Sequence, residues 1–240
     1  DVTGFAFTIP YPQGTAQVEI VNDTDPSKPI NMTTVSATNI VYVPPPIVNI
    51  TFTTSGIGSD ANGATVMTID NTPYSYSQLQ SLSFNWAPGS NHTVAIYSPV
   101  AAVSGKQYAF INWTNGDGLQ GGTSNYTAPT IDTVVTANFK TQFQLTVTTN
   151  PAGLTPQPWV TPSGTGTGGT WYDANTNVTL IASPLAINTL KNWYTFNYWV
   201  LDGNPQKTNT IQLKIKMDQA HTTIANYAHF KMNGYFTDSN

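Results

Sequence analysis

Cysteine and arginine are absent from this 240-residue chain, and glutamate occurs once, at Glu19. Without cysteine there is no disulfide, no thiol nucleophile and no thiolate metal site. The redox compartment stays open, since a secreted chain need not use disulfides. Charged side chains make up only 8% of residues and the net charge is −4, against about 25% charged in an ordinary soluble domain. An acidic chain whose only strong cations are a few lysines cannot cluster the charge that phosphate backbones require, so nucleic acid is not an expected partner. Its densest basic spot, Lys214 and Lys216, alternates with Leu213, Ile215 and Met217 and reads as the wet face of a strand. No apolar run approaches the roughly 20 residues of a membrane span. The histidines, His92, His221 and His229, show no metal-ligand spacing, and no paired carboxylates or phosphate loop stand out. Neither a metal, a cofactor nor an enzymatic activity is expected.

What covers the surface instead is Thr, Ser, Asn, Gln and Gly. Two environments explain such a surface. In strong acid, carboxylates are neutral and ion pairs vanish, so packing and neutral hydrogen bonds must carry stability. Under a coat of glycans, charge is not needed for solubility. Both place the protein outside the cell. A chain that begins at Asp1 without a methionine is expected to have lost its signal peptide already. The 28 aromatic residues and low net charge argue for packed cores and against disorder.

Period-2 alternation dominates, and the chain reads as all-β. Phe5, Phe7 and Ile9 alternate with small residues, as do Phe143, Leu145 and Val147 with Gln144, Thr146 and Thr148. The best helical stretch, Tyr76 to Ser83, is short and serine-rich. Three segments follow: 1–46, an N-terminal strand segment ending in Pro44-Pro-Pro46; 47–140; and 141–240, with a C-terminal tail. The junction from Phe139 to Phe143 leaves almost no linker, so the last two segments should stack. The Pro/Gly/Thr-rich stretch from Thr155 to Thr170 reads as a long loop or hairpin tip.

The last two segments repeat one another. Tyr108-Ala-Phe-Ile-Asn-Trp113 answers to Tyr194-Thr-Phe-Asn-Tyr-Trp199, and Thr133-Val-Val-Thr-Ala-Asn-Phe139 to Thr222-Thr-Ile-Ala-Asn-Tyr227. Between them Asp117-Gly118 aligns with Asp202-Gly203, and upstream Asn91 aligns with Asn177. The two Asp-Gly pairs read as turn chemistry. The aromatics of the matched strands read as core.

On Leu145-Thr-Val-Thr-Thr-Asn-Pro151, the Gly169 to Leu180 stretch and the matched strands above, the third segment resembles the divergent internalin B-repeat type, and the middle segment a degraded copy through its later half. That resemblance implies compact β-rich modules in tandem on surface and adhesion proteins, with no catalytic residues. In composition, sequons and the form of its N-terminus, the whole chain resembles subunits of the glycosylated surface filaments, called threads, of thermoacidophilic archaea. That resemblance implies head-to-tail subunits joined by donor strands, with covalent reinforcement an option.

Seven Asn-X-Thr sequons offer N-glycosylation sites: Asn22, Asn31, Asn49, Asn91, Asn112, Asn125 and Asn177. Without sugar they are polar strand or turn residues. Asn112, inside an aromatic strand beside Trp113, is the least favourable of them. Val2 to Ile9 puts Phe5, Phe7 and Ile9 on one face, which suits either an edge strand of its own domain or a strand donated to a neighbour's sheet. Lys28 and Glu19 are isopeptide candidates by scarcity alone. Trp159 and Trp171 suit a sugar-stacking platform or an interface. The expected function is a structural subunit of an extracellular glycosylated filament, polymerising with copies of itself. The alternatives are a cell-surface adhesin or surface-layer binding module, and the non-catalytic part of a secreted acid hydrolase.

Overall fold

The computed structural model describes residues 46–230, except Asn62, residues 167–168 and residues 207–209, together with the backbone of residues 21–22 and 25–29. The chain divides into two units, residues 1–47 and Val48–Asn240. In the first, β1 (Val21–Asn22) pairs antiparallel with β2 (Asp25–Pro29). The donor-strand residues Phe5, Phe7 and Ile9, and Glu19 and Asn31, lie outside the described residues. The side chains of Asn22 and Lys28 lie outside them too.

The second unit is built from strands, as the alternation predicts. Its first repeat contains β3 (Val48–Ser55), β4 (Thr65–Ile69), β5 (Thr72–Ser75), β6 (Leu82–Trp86), β7 (Asn91–Ile96), β8 (Val100–Ala101), β9 (Lys106–Thr114), β10 (Thr123–Thr127) and the first part of β11 (Thr133–Asn150). The second contains the rest of β11, then β12 (Trp159–Thr161), β13 (Trp171–Asp173), β14 (Asn177–Ile181), β15 (Leu185–Ile187), β16 (Trp193–Leu201), β17 (Asn204–Gln206), β18 (Gln212–Lys216) and β19 (His221–His229). The serine-rich helical candidate forms only a 3-10 turn at Gln78–Gln80 before β6 begins.

Apart from β5 and β17, the strands of the two repeats follow the same topology. One sheet runs β8-β9-β11-β3-β6 in the first and β15-β16-β19-β11-β13 in the second. The other runs β10-β7-β4-β5 in the first and β18-β14-β12 in the second. In both, the first strand of the repeat lies parallel to its last, β3 to β11 and β11 to β19. Among the described residues β5 has no counterpart in the second repeat, and β17 none in the first. Each repeat has its own apolar core. Phe52 centres one, with Phe84, Trp86 and Tyr126 packed edge-on at 5.8–6.1 Å. Leu154, Leu180, Trp199 and Met217 are fully buried in the other.

The shared Tyr-X-Phe-X-X-Trp spacing has a physical explanation. Strict alternation would send Phe110 and Trp113, three residues apart, to opposite faces. A β-bulge resets the register: Phe110 opposes Phe139 and Asn112 opposes Asn138, leaving Ile111 as the extra residue. The second repeat does the same, with Asn197 extra between Phe196 and Tyr198. Phe and Trp therefore meet on the core side in both, at 5.5 Å and 57° in one and 5.7 Å and 56° in the other. Each indole then donates to a carbonyl in the loop beyond, Trp113 to Gln120 at 3.1 Å and Trp199 to Ile211 at 3.2 Å.

The boundary drawn at 140/141 falls inside β11, an unbroken 18-residue strand. Along one edge it pairs with β9 and then β19, along the other with β3 and then β13. The seam is polar. Gln142, buried, accepts from Gln107 at 2.9 Å and donates to Asp173 at 2.8 Å, while Lys140 donates to the other Asp173 oxygen at 2.8 Å. The repeats also touch at Gly105 (φ +75°), where a Cβ would lie 2.5 Å from the Ala220 methyl.

Candidate functional site

The five sequons within the fully described residues, Asn49, Asn91, Asn112, Asn125 and Asn177, all have exposed asparagines. All lie on strands, at positions whose neighbours turn inward: Val48 and Ile50 around Asn49, Tyr126 after Asn125, Val178 after Asn177. Asn112 also faces out. The bulge at Ile111 decouples it from the inward-facing Phe110, which the sequence alone did not reveal. Its amide oxygen accepts from Asn138 at 2.8 Å, and Asn91 accepts from the Thr127 hydroxyl at 2.8 Å. Asn49 donates to Asn85 at 3.2 Å across the β3–β6 pair. These bonds are all solvent-exposed, and those of Asn91 and Asn112 engage the amide oxygen and not the nitrogen to which a sugar attaches.

Two aspartate–histidine pins were not visible in the sequence. Asp70 and Asn71 (φ +48° and +64°) form the two-residue turn of the β4–β5 hairpin, the geometry of a type I′ turn. From there Asp70 Oδ2 meets His92 Nδ1 at 2.7 Å, and Oδ1 accepts the Thr93 amide at 2.9 Å. Asp202 and Gly203 (φ +48° and +79°) turn the β16–β17 hairpin alike. Asp202 meets His221 Nδ1 at 2.7 Å and the Thr222 amide at 2.9 Å. Burial pushes both carboxyls up, but the hydrogen bonds from the amide and imidazole outweigh it and hold each below the ordinary carboxylate range. Asp117 and Gly118 (φ +81°) also lie in a turn, but in the first repeat the residue that reaches the adjacent strand is Asn115 (φ +57°), whose amide donates to the Val134 carbonyl at 3.1 Å.

Around His92 the grouping goes further. Ser90 Oγ lies 2.8 Å from Nε2, so Ser90, His92 and Asp70 stand in the order of an acyl-transfer relay. Such a relay needs free amides to stabilise an oxyanion. Here the Ser90 amide is given to the Ala87 carbonyl at 3.0 Å and the Gly89 amide to Ala128 at 2.8 Å. The imidazole also lies flat on Trp86, centroids 3.5 Å apart and 8° from parallel. The arrangement locks a turn against a strand and an indole. Elsewhere, hydrogen bonds from the Lys106 ammonium and the Tyr108 hydroxyl hold Asp60 below the carboxylate range, and Asp60 in turn raises Lys106. Among the described residues no group of three or more His, Asp or Glu side chains is placed to hold a metal ion, and no helix is long and apolar enough to cross a membrane.

Against known proteins, one stretch is similar. The family model described as Divergent InlB B-repeat domain matches residues 82–143, from β6 into β11. The match falls on the middle segment from β6 onward, the copy whose sequence reads as the weaker one, and not on the third segment beyond Phe143. No curated protein and no solved structure matches the chain. Residues 82–143 are thus similar to a divergent InlB B-repeat, and the topology of the repeat that contains them recurs in the residues that follow.

Proposed function

We propose that this chain is a structural subunit of an extracellular glycosylated filament, that it lends its N-terminal strand to the next subunit, and that it performs no catalysis. The observation that carries this reading is the continuity of β11. Because one strand serves both repeats, tension along the chain passes through laddered backbone hydrogen bonds and not through a linker. The exposed sequons on strand faces and the nearly uncharged surface support the glycan coat. The strand-lending part of the reading rests on the alternation of Phe5, Phe7 and Ile9. A head-to-tail contact of this type does not close on itself, so it yields a fibre.

A second reading, a sugar-binding adhesin, is favoured by Trp159 and Trp193, which are 71% and 53% exposed. Electron microscopy of the purified full chain separates the two: the filament reading expects fibres, and monodisperse particles defeat it. Intact mass spectrometry of the same material reads the sugars.

A further inference from the structure

We infer that the outer edge of β12, in the second repeat, is the acceptor for the N-terminal strand of a neighbouring copy; this rests on the filament reading above. The argument comes from comparing the two repeats. In the first, the strand at the place of β12 is β4, and its outer edge is covered by β5 through Thr65–Ser75, Met67–Tyr74, Thr68–Pro73 and Ile69–Thr72 pairs. In the second, β12 pairs with β14 through Trp159–Ile181, Val160–Leu180 and Thr161–Thr179, and no strand covers its other edge among the described residues.

Beside that edge a groove of about 240 Å³ opens between the sheets, lined by Leu145, Val147, Pro158, Val160 and Tyr172. Leu145 and Tyr172 belong to the core, so the groove leads into it. The first repeat shows what a covering strand does there. Tyr74 of β5 packs against that core, its ring edge-on to Phe84 at 6.1 Å. The segment from Val2 to Ile9 brings the same kind of group, with Phe5, Phe7 and Ile9 at every second position and Gly4, Ala6 and Thr8 between them. Laid along β12, its aromatics face Val160, Leu145 and Tyr172, and its small residues lie on the outer surface beside Trp159 and Thr161. Backbone pairing satisfies the open edge, and alternate side chains fill the groove.

The test exploits the absence of cysteine. Directly opposite positions on paired strands have Cβ atoms about 4.5–5.5 Å apart, so a closing movement of about 1 Å brings two cysteines within the roughly 3.5–4.5 Å of a disulfide. Full chains carrying Thr8→Cys with Thr161→Cys, or Ala6→Cys with Trp159→Cys, are oxidised mildly, boiled in detergent without reductant and run on a gel. Thr8→Cys with Thr72→Cys, on β5, is the control. The expected result is a covalent ladder from at least one β12 pair, about ten-fold stronger than in the control. In parallel, hydrogen exchange on the unsubstituted chain should show β12 amides slowed at least about ten-fold in the polymer, and released on removal of residues 1–12. Filaments without a β12 ladder or β12 protection overturn this acceptor and leave the filament reading standing. Cross-linked monomers, with the segment folded onto its own chain, overturn both. A full chain that forms no filament removes the reading on which the inference rests, and the inference with it.

Discussion

Inserting one alanine after Asn197 should cost far more than replacing or deleting Asn197. Asn197 is the extra residue of the β16 bulge and is itself exposed. Its side chain has little to lose, so Asn197→Ala should change stability by no more than about 0.5 kcal/mol. Deleting it leaves Phe196 and Trp199 two apart on a regular strand, still on one face, and should cost far less than the insertion. With the inserted alanine they stand four apart, and a one-residue bulge then sends them to opposite faces, so one of them must leave the core. Trp199 is fully buried, and Phe196 packs edge-on to Tyr227 at 5.7 Å. Expelling a large buried aromatic costs about 3–5 kcal/mol. Loss of the Trp199 bond to the Ile211 carbonyl adds about 1 kcal/mol if the indole is the one to go. A domain has about 5–15 kcal/mol in total, so the insertion should remove a large part of it. Urea unfolding followed by tryptophan fluorescence and far-UV circular dichroism reads all three variants. If the insertion stays within about 1 kcal/mol of the unmodified chain, or the deletion costs as much as the insertion, the account of the Tyr-X-Phe-X-X-Trp motif is wrong.

Glycine substitutions separate backbone strain from crowding. Gly203→Ala (φ +79°, nothing near the new methyl) should cost about 1–2 kcal/mol from the left-handed backbone alone. Gly105→Ala adds the clash with Ala220 at the seam and should cost about 1–3 kcal/mol more by the same urea assay. Asp202→Asn should destabilise by about 1–2 kcal/mol near pH 6. Because the folded Asp202 carboxyl is depressed, its contribution is present above the unfolded value of about 3.9 and is lost as pH falls through the folded one. The Tm difference from the unmodified chain should therefore close on acidification towards about pH 2, and a constant difference would refute the pin. Replacing Asn49, Asn91, Asn112, Asn125 and Asn177 singly by Gln should each lower the intact mass by one glycan; an unchanged mass marks an unused sequon.

Much of this fold is written in alternation, because a half-buried strand exposes every second side chain to one solvent. Leu145, Val178, Leu180 and Ala182 are buried on that rule. The rule fails where the backbone changes phase. No local signal at Ile111 or Asn197 announces a bulge; only the recurrence of the same spacing in both repeats does. The seam was harder for the opposite reason. Phe139 and Phe143 keep the alternation without a glycine or proline between them, which is the mark of one strand, although the repeat boundary lies there. The aspartate–histidine pins escaped because their members sit 22 and 19 residues apart on different strands. Their one sequence trace is the His-Thr pair at residues 92–93 and again at 221–222. The sequons were plain in the sequence, but their exposure was not, and at Asn112 it depends on the bulge.

Sedimentation velocity, run side by side on the full chain and on one lacking residues 1–12, bears most directly on the strand-lending filament. The account predicts large, heterogeneous polymers for the full chain and a single folded monomer for the shortened one. Polymers that persist after the truncation, or a full chain that sediments as a monomer, would contradict it.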